Sequence, residues 1–150
     1  MLAQHQIKCD WVVLAGAVLL DRLDALAGMP MTSLFLGGTS VKDLEPLSGM
    51  RLHALQLSFT PITCLDPLEG MPLIWVSLSG TKVSSIEALR RSRLEWLSLS
   101  GTRVRSVEPL KGQPLRHLSV HGRKIESLAP LKGMNVRVSG ASPELLATME

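Results

Sequence analysis

Four histidines and two cysteines are the side chains of this 150-residue chain that most readily bind a metal, and their spacing argues against a metal site. His117 and His121 are four residues apart, which on a helix would direct both rings toward one ion, but they lie in a segment with the pattern of a β-strand. Four strand residues span about 13 Å, which is too far for one shared ion. Cys9 and Cys64 show no ligand-like spacing. We therefore predict neither a metal nor another cofactor.

The polar residues that repeat along the chain also lack the order that catalysis requires. Gly-Thr pairs occur in 79–82 and 100–103 next to a basic residue, but the Gly, Lys and Ser or Thr order of a phosphate-binding loop is missing. The sequence contains no nucleophile elbow, zinc cysteine set or calcium-binding loop. Most carboxylates fall in turns, where no cleft is expected. We predict that the protein is not an enzyme.

A gapless repeat of 21 residues sets the elements that would position any site. Its consensus is L-x-x-L-x-L-x-G-T-x-V-x-x-L-x-P-L-x-G-M-P. The columns that define the register are Met31, Leu52, Leu73, Leu94, Leu115; Leu34, Leu55, Val76, Leu97, Leu118; Leu36, Leu57, Leu78, Leu99, Val120; and Val41, Ile62, Val83, Val104, Ile125. A fixed period of this length indicates a solenoid in which each repeat forms one coil.

This pattern resembles the short leucine-rich repeats of internalins and of protein phosphatase regulatory subunits, over about residues 20–138. Similar repeats are also found beside bacterial serine/threonine kinase domains, so the chain could be a sensor or targeting part of a longer protein. The resemblance implies an α/β, β-rich solenoid with a parallel sheet on the concave face and short 3-10 or helical turns on the convex face. Leucine-rich repeats share no single activity.

Stacking is required for stability, because one coil buries about six or seven side chains at about 2 kcal/mol each, whereas ordering 21 residues costs about 30 kcal/mol. We predict a single domain over 1–150. Residues 1–30 form an N-terminal cap and degenerate coil, 31–135 five repeats, and 136–150 a final strand and cap helix. Ser142, Pro143 and Glu144 have the types expected at the start of that helix.

Three details of the coils are also predicted. In the family that the repeat resembles, asparagine usually ties neighbouring coils at the column of Thr39, Thr60, Thr81 and Thr102, and each threonine can supply one hydroxyl to such a ladder, half of what an amide offers. Phe59 shares a column with glycines, so that position should not in general require a positive φ. Val136 and Val138 should continue the strand columns if three residues are deleted from the last repeat.

Alternate strand residues should face outward on the concave side and form three columns. The first contains Val12, Ser33, Ala54, Trp75, Trp96 and His117; the second Leu14, Phe35, Gln56, Ser77, Ser98 and Ser119; the third Gly16, Gly37, Ser58, Ser79, Ser100 and His121. Trp75 and Trp96 lie on adjacent coils beside short side chains, which is the arrangement of a binding hot spot. A structural alternative is that the two rings only stack on each other and shield the sheet.

The site residues predicted for a protein partner are Phe35, Trp75, Trp96, His117, Ser77, Ser98 and Ser119. A second candidate surface is a basic edge of Lys82, Arg103, Arg105, Arg123 and Lys124. Residues 1–75 carry a net charge of −3 and residues 76–150 carry +6, so this edge should attract an acidic protein or a nucleic acid backbone. Nearby glutamates favour the alternative that it is only a solvated face.

The sequence thus predicts a non-catalytic module that binds a protein through its concave face. The alternative is a structural subunit of a larger assembly, such as a ribonucleoprotein. Nucleic acid is the less favoured partner, because three Trp, two Phe and no Tyr make a poor stacking platform. The ten-residue apolar run 11–20 is too short to span a membrane. Two cysteines favour a reducing, cytoplasmic compartment. Acidic residues flank this run and weaken its likeness to a signal peptide, and a monomer is the default state.

Overall fold

A computed structural model describes residues 10–122 and 124–150 as a coiled solenoid with one sheet of seven parallel strands. The strands are β1 Trp11–Val13, β2 Ser33–Phe35, β3 Ala54–Gln56, β4 Trp75–Ser77, β5 Trp96–Ser98, β6 His117–Ser119 and β7 Arg137–Ser139. Each strand pairs with the one before it and the one after it in the chain. The repeat therefore sets the topology, as the sequence predicts.

The middle residue of each strand from β2 to β6 points into the core. Leu34, Leu55, Val76 and Leu97 are completely buried, while the residues on either side of them are less buried on the opposite face of β2 and β3. This alternation follows from the two-residue period of a β-strand. The predicted apolar columns therefore form a continuous core that runs along the whole stack.

The register departs from 21 residues at both ends of the sheet. At the first coil Trp11 pairs with Ser33 and Val12 with Leu34, so the spacing is 22 and the outward residues are Trp11 and Val13. The prediction that Val12, Leu14 and Gly16 fill the outward columns is wrong. At the last coil Val138 pairs with Leu118, so one residue is deleted and not three.

Each convex crossing contains one turn of 3-10 helix. These turns are Asp24–Leu26, Glu45–Leu47, Asp66–Leu68, Glu87–Leu89, Glu108–Leu110 and Ala129–Leu131. Proline occupies the first turn in four of them, where its fixed φ suits helix entry and no amide hydrogen is needed. The closing leucines of five of the turns, from Leu47 onward, are buried, so these turns complete the core wall opposite the sheet.

The threonine column does not tie coils together. The hydroxyls of Thr39, Thr60, Thr81 and Thr102 are buried and donate to the carbonyl three residues earlier in the same coil, at 2.6 to 2.8 Å. One hydroxyl reaches only one acceptor as a donor, and the nearest carbonyl lies within its own turn. The threonines therefore lock the turn that follows each strand.

The same turn requires a positive φ, which corrects the second prediction. Gly38, Gly80 and Gly101 have φ of 70° to 72°, and Phe59 adopts φ of 59° in the equivalent position. The Thr60 N–H donates to the Leu57 carbonyl at 3.2 Å, and this closure with a positive φ at the third residue is that of a type II turn. Phe59 is forced into the conformation that glycine adopts freely.

One coil has an irregular linker, and a side chain of the next coil forms hydrogen bonds with its backbone. Arg90 to Arg93 take the place of the Gly-Met-Pro linker, and the buried side chain of Gln113 from the next coil supplies the missing polar contacts. Its Oε1 accepts from Leu94 N–H at 3.0 Å, and its Nε2 donates to the Leu89 and Pro109 carbonyls at 2.9 and 3.0 Å. The sequence analysis did not identify this residue.

The C-terminal end of the stack is closed by α1 Pro143–Ala147, as predicted. Ser142 is its N-cap and accepts a hydrogen bond from Leu145 N–H at 3.3 Å. Thr148 ties the helix to the last coil, because its Oγ1 accepts from Leu128 N–H at 2.8 Å and donates to the Leu145 carbonyl. Leu145 and Met149 pack against the core.

Candidate interaction surface

The two tryptophans of the repeat region form a stacked pair on the concave face. Trp75 pairs with Trp96 in the strand register, and their ring centroids lie 4.6 Å apart with an interplanar angle of 9°. Both side chains are half-buried. Strands of one sheet lie about 4.8 Å apart, so aromatic residues at one register position on adjacent coils stack face to face. The pair presents its ring edges to solvent.

Phe35 extends this pair over two further coils. Its ring centroid lies 6.2 Å from that of Trp75 at an angle of 46°, although β3 separates the two strands. The intervening residue in the tryptophan column is Ala54, whose small side chain leaves space for this contact. Phe35 is therefore part of one aromatic cluster, defined here as Phe35, Trp75 and Trp96.

Trp11 is a further outward aromatic residue that the sequence analysis did not place. The 22-residue spacing puts it in the tryptophan column beside Ser33, with 65% of its surface exposed, and Val13 next to it is also exposed. Residues 11–14 are all apolar, so alternation alone could not show which of them face outward. The only available signal was the presence of the third tryptophan near the same column.

The predicted serines form a floor beside the aromatic cluster. Ser77 and Ser98 are nearly buried, and their hydroxyls hydrogen-bond to Ser58 at 2.7 Å and to Ser79 at 2.6 Å. Ser119 is half-buried and bonds to Ser100 at 2.9 Å. Because these hydroxyls already pair with each other, a partner can cover the floor without leaving a polar group unsatisfied.

The strands of the concave face carry no carboxylate at their outward positions. In β1 to β7 these positions hold Trp11, Val13, Ser33, Phe35, Ala54, Gln56, Trp75, Ser77, Trp96, Ser98, His117, Ser119, Arg137 and Ser139. The exposed His117 pairs in register with Arg137 at the C-terminal end. The aromatic cluster therefore continues into a basic end, and this face will repel cations more than anions.

The residues of the basic edge differ in their surroundings. Lys82, Arg103 and Lys124 are exposed and make no ion pair within the described part of the chain. Arg105 lies 3.4 Å from a carboxylate oxygen of Glu126, and both side chains are about 70% exposed, so this ion pair is weak. Arg123 lies outside the described residues.

Phe59 is the most exposed Phe or Trp residue in the described part of the chain, with 74% of its surface accessible to solvent. Its ring lies over Gly80, where an added β-carbon would come within 2.5 Å of Phe59 Cδ1. About a quarter of a phenylalanine surface, ~50 Å², is then covered, which stabilises by about 1.2 kcal/mol. The positive φ of a residue other than glycine costs ~1–3 kcal/mol. Phe59 therefore gives the fold no net stability.

The perturbed titratable groups lie away from the concave face. The Arg90 guanidinium donates hydrogen bonds to Glu87 at 2.8 and 2.9 Å and holds the pKa of that carboxyl below its ordinary value. Backbone hydrogen bonding at the start of α1 lowers the pKa of Glu144, and the Ser142 hydroxyl contributes. Within residues 10–122 and 124–150, no group of three His, Cys, Asp or Glu side chains could hold a metal ion.

Comparison with solved structures identifies the fold. The crystal structure of internalin C2 from Listeria monocytogenes matches with a TM-score of 0.75 at 23% sequence identity, covering 88% of this chain and 64% of that one. The chain has the leucine-rich repeat fold. A second L. monocytogenes internalin matches with a TM-score of 0.32 at 14% identity, covering 89% of this chain and 63% of that chain.

This leucine-rich repeat chain spans less than two thirds of the length of either internalin structure. No family model and no curated protein sequence matches it. In the described residues, no helix is both long enough and apolar enough to cross a bilayer.

Proposed function

We propose that the protein is a non-catalytic module that binds a protein partner through its concave face. The observation that supports this most directly is the stacked pair Trp75 and Trp96, half-exposed on a sheet whose other coils place Ser33 and Ala54 at the same position. Short side chains suffice for the fold there. Large, stiff aromatic residues at such positions are typical of binding hot spots.

Phe35, His117 and the floor residues Ser77, Ser98 and Ser119 complete the proposed contact surface. The aromatic cluster supplies the apolar anchors, and His117 marks where the face becomes basic. The serines act mainly as a flat, satisfied floor, because Ser77 and Ser98 expose only 6% and 5% of their surface. Truncating one anchor should weaken binding by about 2 kcal/mol.

Affinity capture with the double variant Trp75→Ala, Trp96→Ala tests this proposal. Wild-type protein is immobilised beside the variant and beside the control Leu146→Ala, which removes an exposed apolar side chain from α1. Proteins retained by the wild type and the control but lost with the double variant are then purified and their affinities measured. We expect a loss of at least 30-fold, which is ~2 kcal/mol.

Folding of the variants must be measured in the same samples. Because Ala54 occupies the same column, the double variant should keep the strand and helix content of the wild type and a cooperative unfolding transition. If the double variant unfolds, the tryptophans are structural and the proposal fails. Equal capture by the wild type and the folded double variant would also refute it.

A second candidate function is a structural subunit that docks through the basic edge on an acidic surface or a ribonucleoprotein. The exposed Lys82, Arg103 and Lys124 favour it, because the described ion pairs include none of them. Phosphate-dominated binding falls linearly with the logarithm of salt concentration, whereas docking on the aromatic cluster depends little on salt. The captured partner's affinity between low and high salt therefore separates the two functions.

We also propose a reducing, cytoplasmic compartment. Cys64 is exposed and free, and an exposed thiol of this kind persists best where disulfides do not form. Cys9 lies outside the described residues. Alkylation of native protein recovered from cells would test this, with modification of the free Cys64 thiol as the expected result.

A further inference from the structure

Phe59 has a conformation that its own side chain disfavours, and its turn explains how this conformation is maintained. The Leu57 carbonyl accepts from both the N–H and the hydroxyl of Thr60, at 3.2 and 2.6 Å, and Phe59 N–H donates to the Ser79 carbonyl at 2.8 Å. These bonds fix the backbone whatever residue occupies position 59. The equivalent residues Gly38, Gly80 and Gly101 satisfy the same turn without strain.

The side chain at position 59 is therefore not explained by the fold. It is 74% exposed, lies over Gly80, and contributes nothing to the core cluster. A strained residue that the surrounding structure holds in place points to a function, because the small part of the ring that is covered at best offsets the strain. An exposed aromatic ring in this state is ready to be covered by a partner.

The position of Phe59 relative to the aromatic cluster defines a track across the concave face. Trp75 pairs with Ala54 at the start of β3, and Phe59 follows five residues after Ala54, in the turn that comes after β3 ends at Gln56. At a strand rise of about 3.3 Å per residue, five residues span about 17 Å at most, so Ala54 and Phe59 lie no farther apart than this along the strand direction. The floor between them consists of Gln56 and paired serine hydroxyls.

The charges near Phe59 indicate which chemical groups a partner would carry beside this residue. On the same edge, the column after the threonines holds Ser40, Pro61, Lys82, Arg103 and Lys124, which includes no acid. Lys82 occupies the coil next to Phe59 and is exposed. An anionic group placed beyond Phe59 would meet this basic edge, and a cationic group would be repelled.

We propose that Phe59 is a second anchor for an extended, acidic segment of the protein partner that crosses the concave face from Trp75 toward Lys82. The segment carries two apolar side chains no more than five residues apart, one on the aromatic cluster and one on Phe59, with Asp or Glu following the second. This inference rests on the proposed function for the class of partner, but adds a contact residue and a chemical pattern that the tryptophans do not define.

The test uses phage that display random 16-residue linear peptides. The library is selected on the full wild-type chain without depletion, and the enriched peptides are then compared on Phe59→Gly, which restores the residue of the other coils. We expect enriched peptides to contain the apolar pair followed by acidic residues. Synthesised peptides should bind Phe59→Gly and Lys82→Glu at least tenfold more weakly than wild type, and the matched control Lys111→Glu, on the convex side, within twofold of wild type.

The stability of Phe59→Gly is measured by chemical denaturation in parallel, and its midpoint should equal or exceed that of the wild type. A clearly lower midpoint would make Phe59 structural and overturn the inference. Failure to recover a peptide that discriminates the variant, a basic consensus, or displacement of the peptides by a single-stranded oligonucleotide would also overturn it.

The outcome for the aromatic cluster is read separately. Peptides that lose affinity for Trp75→Ala, Trp96→Ala but bind Phe59→Gly unchanged support the concave-face function and refute the second anchor. Peptides whose affinity falls for Phe59→Gly but not for Trp75→Ala, Trp96→Ala support Phe59 as an anchor and refute the role of the tryptophans. Dependence on both supports the track proposed here.

Discussion

Replacement of Gln113 by methionine tests whether the irregular coil depends on one buried amide. Methionine occupies the equivalent position in other coils, as Met50 and Met71, and has a similar volume, so the repeat alone predicts a neutral or stabilising change. The structure predicts the opposite. Gln113 is 92% buried and forms three hydrogen bonds to backbone groups of two coils.

The magnitude follows from what each backbone group retains. Leu94 N–H has no other acceptor among the described hydrogen bonds, so its desolvation costs ~1–3 kcal/mol. The Leu89 carbonyl still accepts from Ser92 N–H at 3.1 Å and loses little. The Pro109 carbonyl loses a bond of about 1 kcal/mol, and the added apolar surface of methionine returns about 1 kcal/mol. We expect Gln113→Met to destabilise the protein by about 2 kcal/mol.

Urea unfolding monitored by circular dichroism measures this change, with Lys111→Met as the control for a methionine added at an exposed site nearby. The control should differ from the wild type by less than about 0.5 kcal/mol. If Gln113→Met is as stable as the control, the amide hydrogen bonds contribute nothing net, and the explanation of this coil is wrong.

Three further predictions concern the turns, the stacked pair and acid stability. Thr81→Val should cost ~1 kcal/mol of unfolding free energy, because the Thr81 hydroxyl donates to the Leu78 carbonyl of its own coil at 2.7 Å and that carbonyl keeps its backbone donor. A cost far above this in urea unfolding would indicate a tie between coils. The 4.6 Å stack of Trp75 and Trp96 covers one face of each ring, so in a Trp11→Phe background the variant Trp96→Ala should make the fluorescence of Trp75 more accessible to a water-soluble quencher, and unchanged accessibility would refute the stacked geometry. Arg90 lowers the pKa of Glu87 in the folded state, so this pair stabilises the protein above the ordinary carboxyl pKa of 4.5 and loses its effect as the pH falls through the folded pKa. Arg90→Gln should therefore reduce the unfolding free energy slightly at neutral pH and match the wild type in acid. A difference between the two proteins that grows on acidification would show that the sign is wrong.

The regular part of the fold was predictable because each conclusion rests on five equivalent examples. Apolar columns repeated without a gap fix which residues are buried in β2 to β6 and where the convex turns begin. The ends have one example each, so a spacing of 22 at Trp11 and of 20 at Val138 could not be distinguished from a simple continuation. Irregular register is a property of the caps, which lack a neighbour on one side.

Prediction of the candidate site was limited by what a column reports. A column shows which coil and face a residue occupies, and this was enough to place Trp75 and Trp96 together. It does not show that Phe35 reaches Trp75 across a small residue, or that the hydroxyls of Ser77 and Ser98 are consumed by their neighbours. Those facts depend on side-chain reach, which varies with the residues on the coil between.

The residues that deviate from the consensus are of two kinds: those whose side chains form contacts that offset the lost consensus contacts, and those whose side chains do not. Gln113 departs from methionine but satisfies backbone groups that the altered linker would otherwise leave unpaired, so the fold itself accounts for it. Phe59 departs from glycine and accepts a strained backbone, and its side chain, which lies over Gly80, adds no hydrogen bond and no core contact. In a solenoid, every coil offers a reference for what the position needs. A departure that costs stability without local compensation therefore marks a surface retained for binding, and Phe59 belongs to this class.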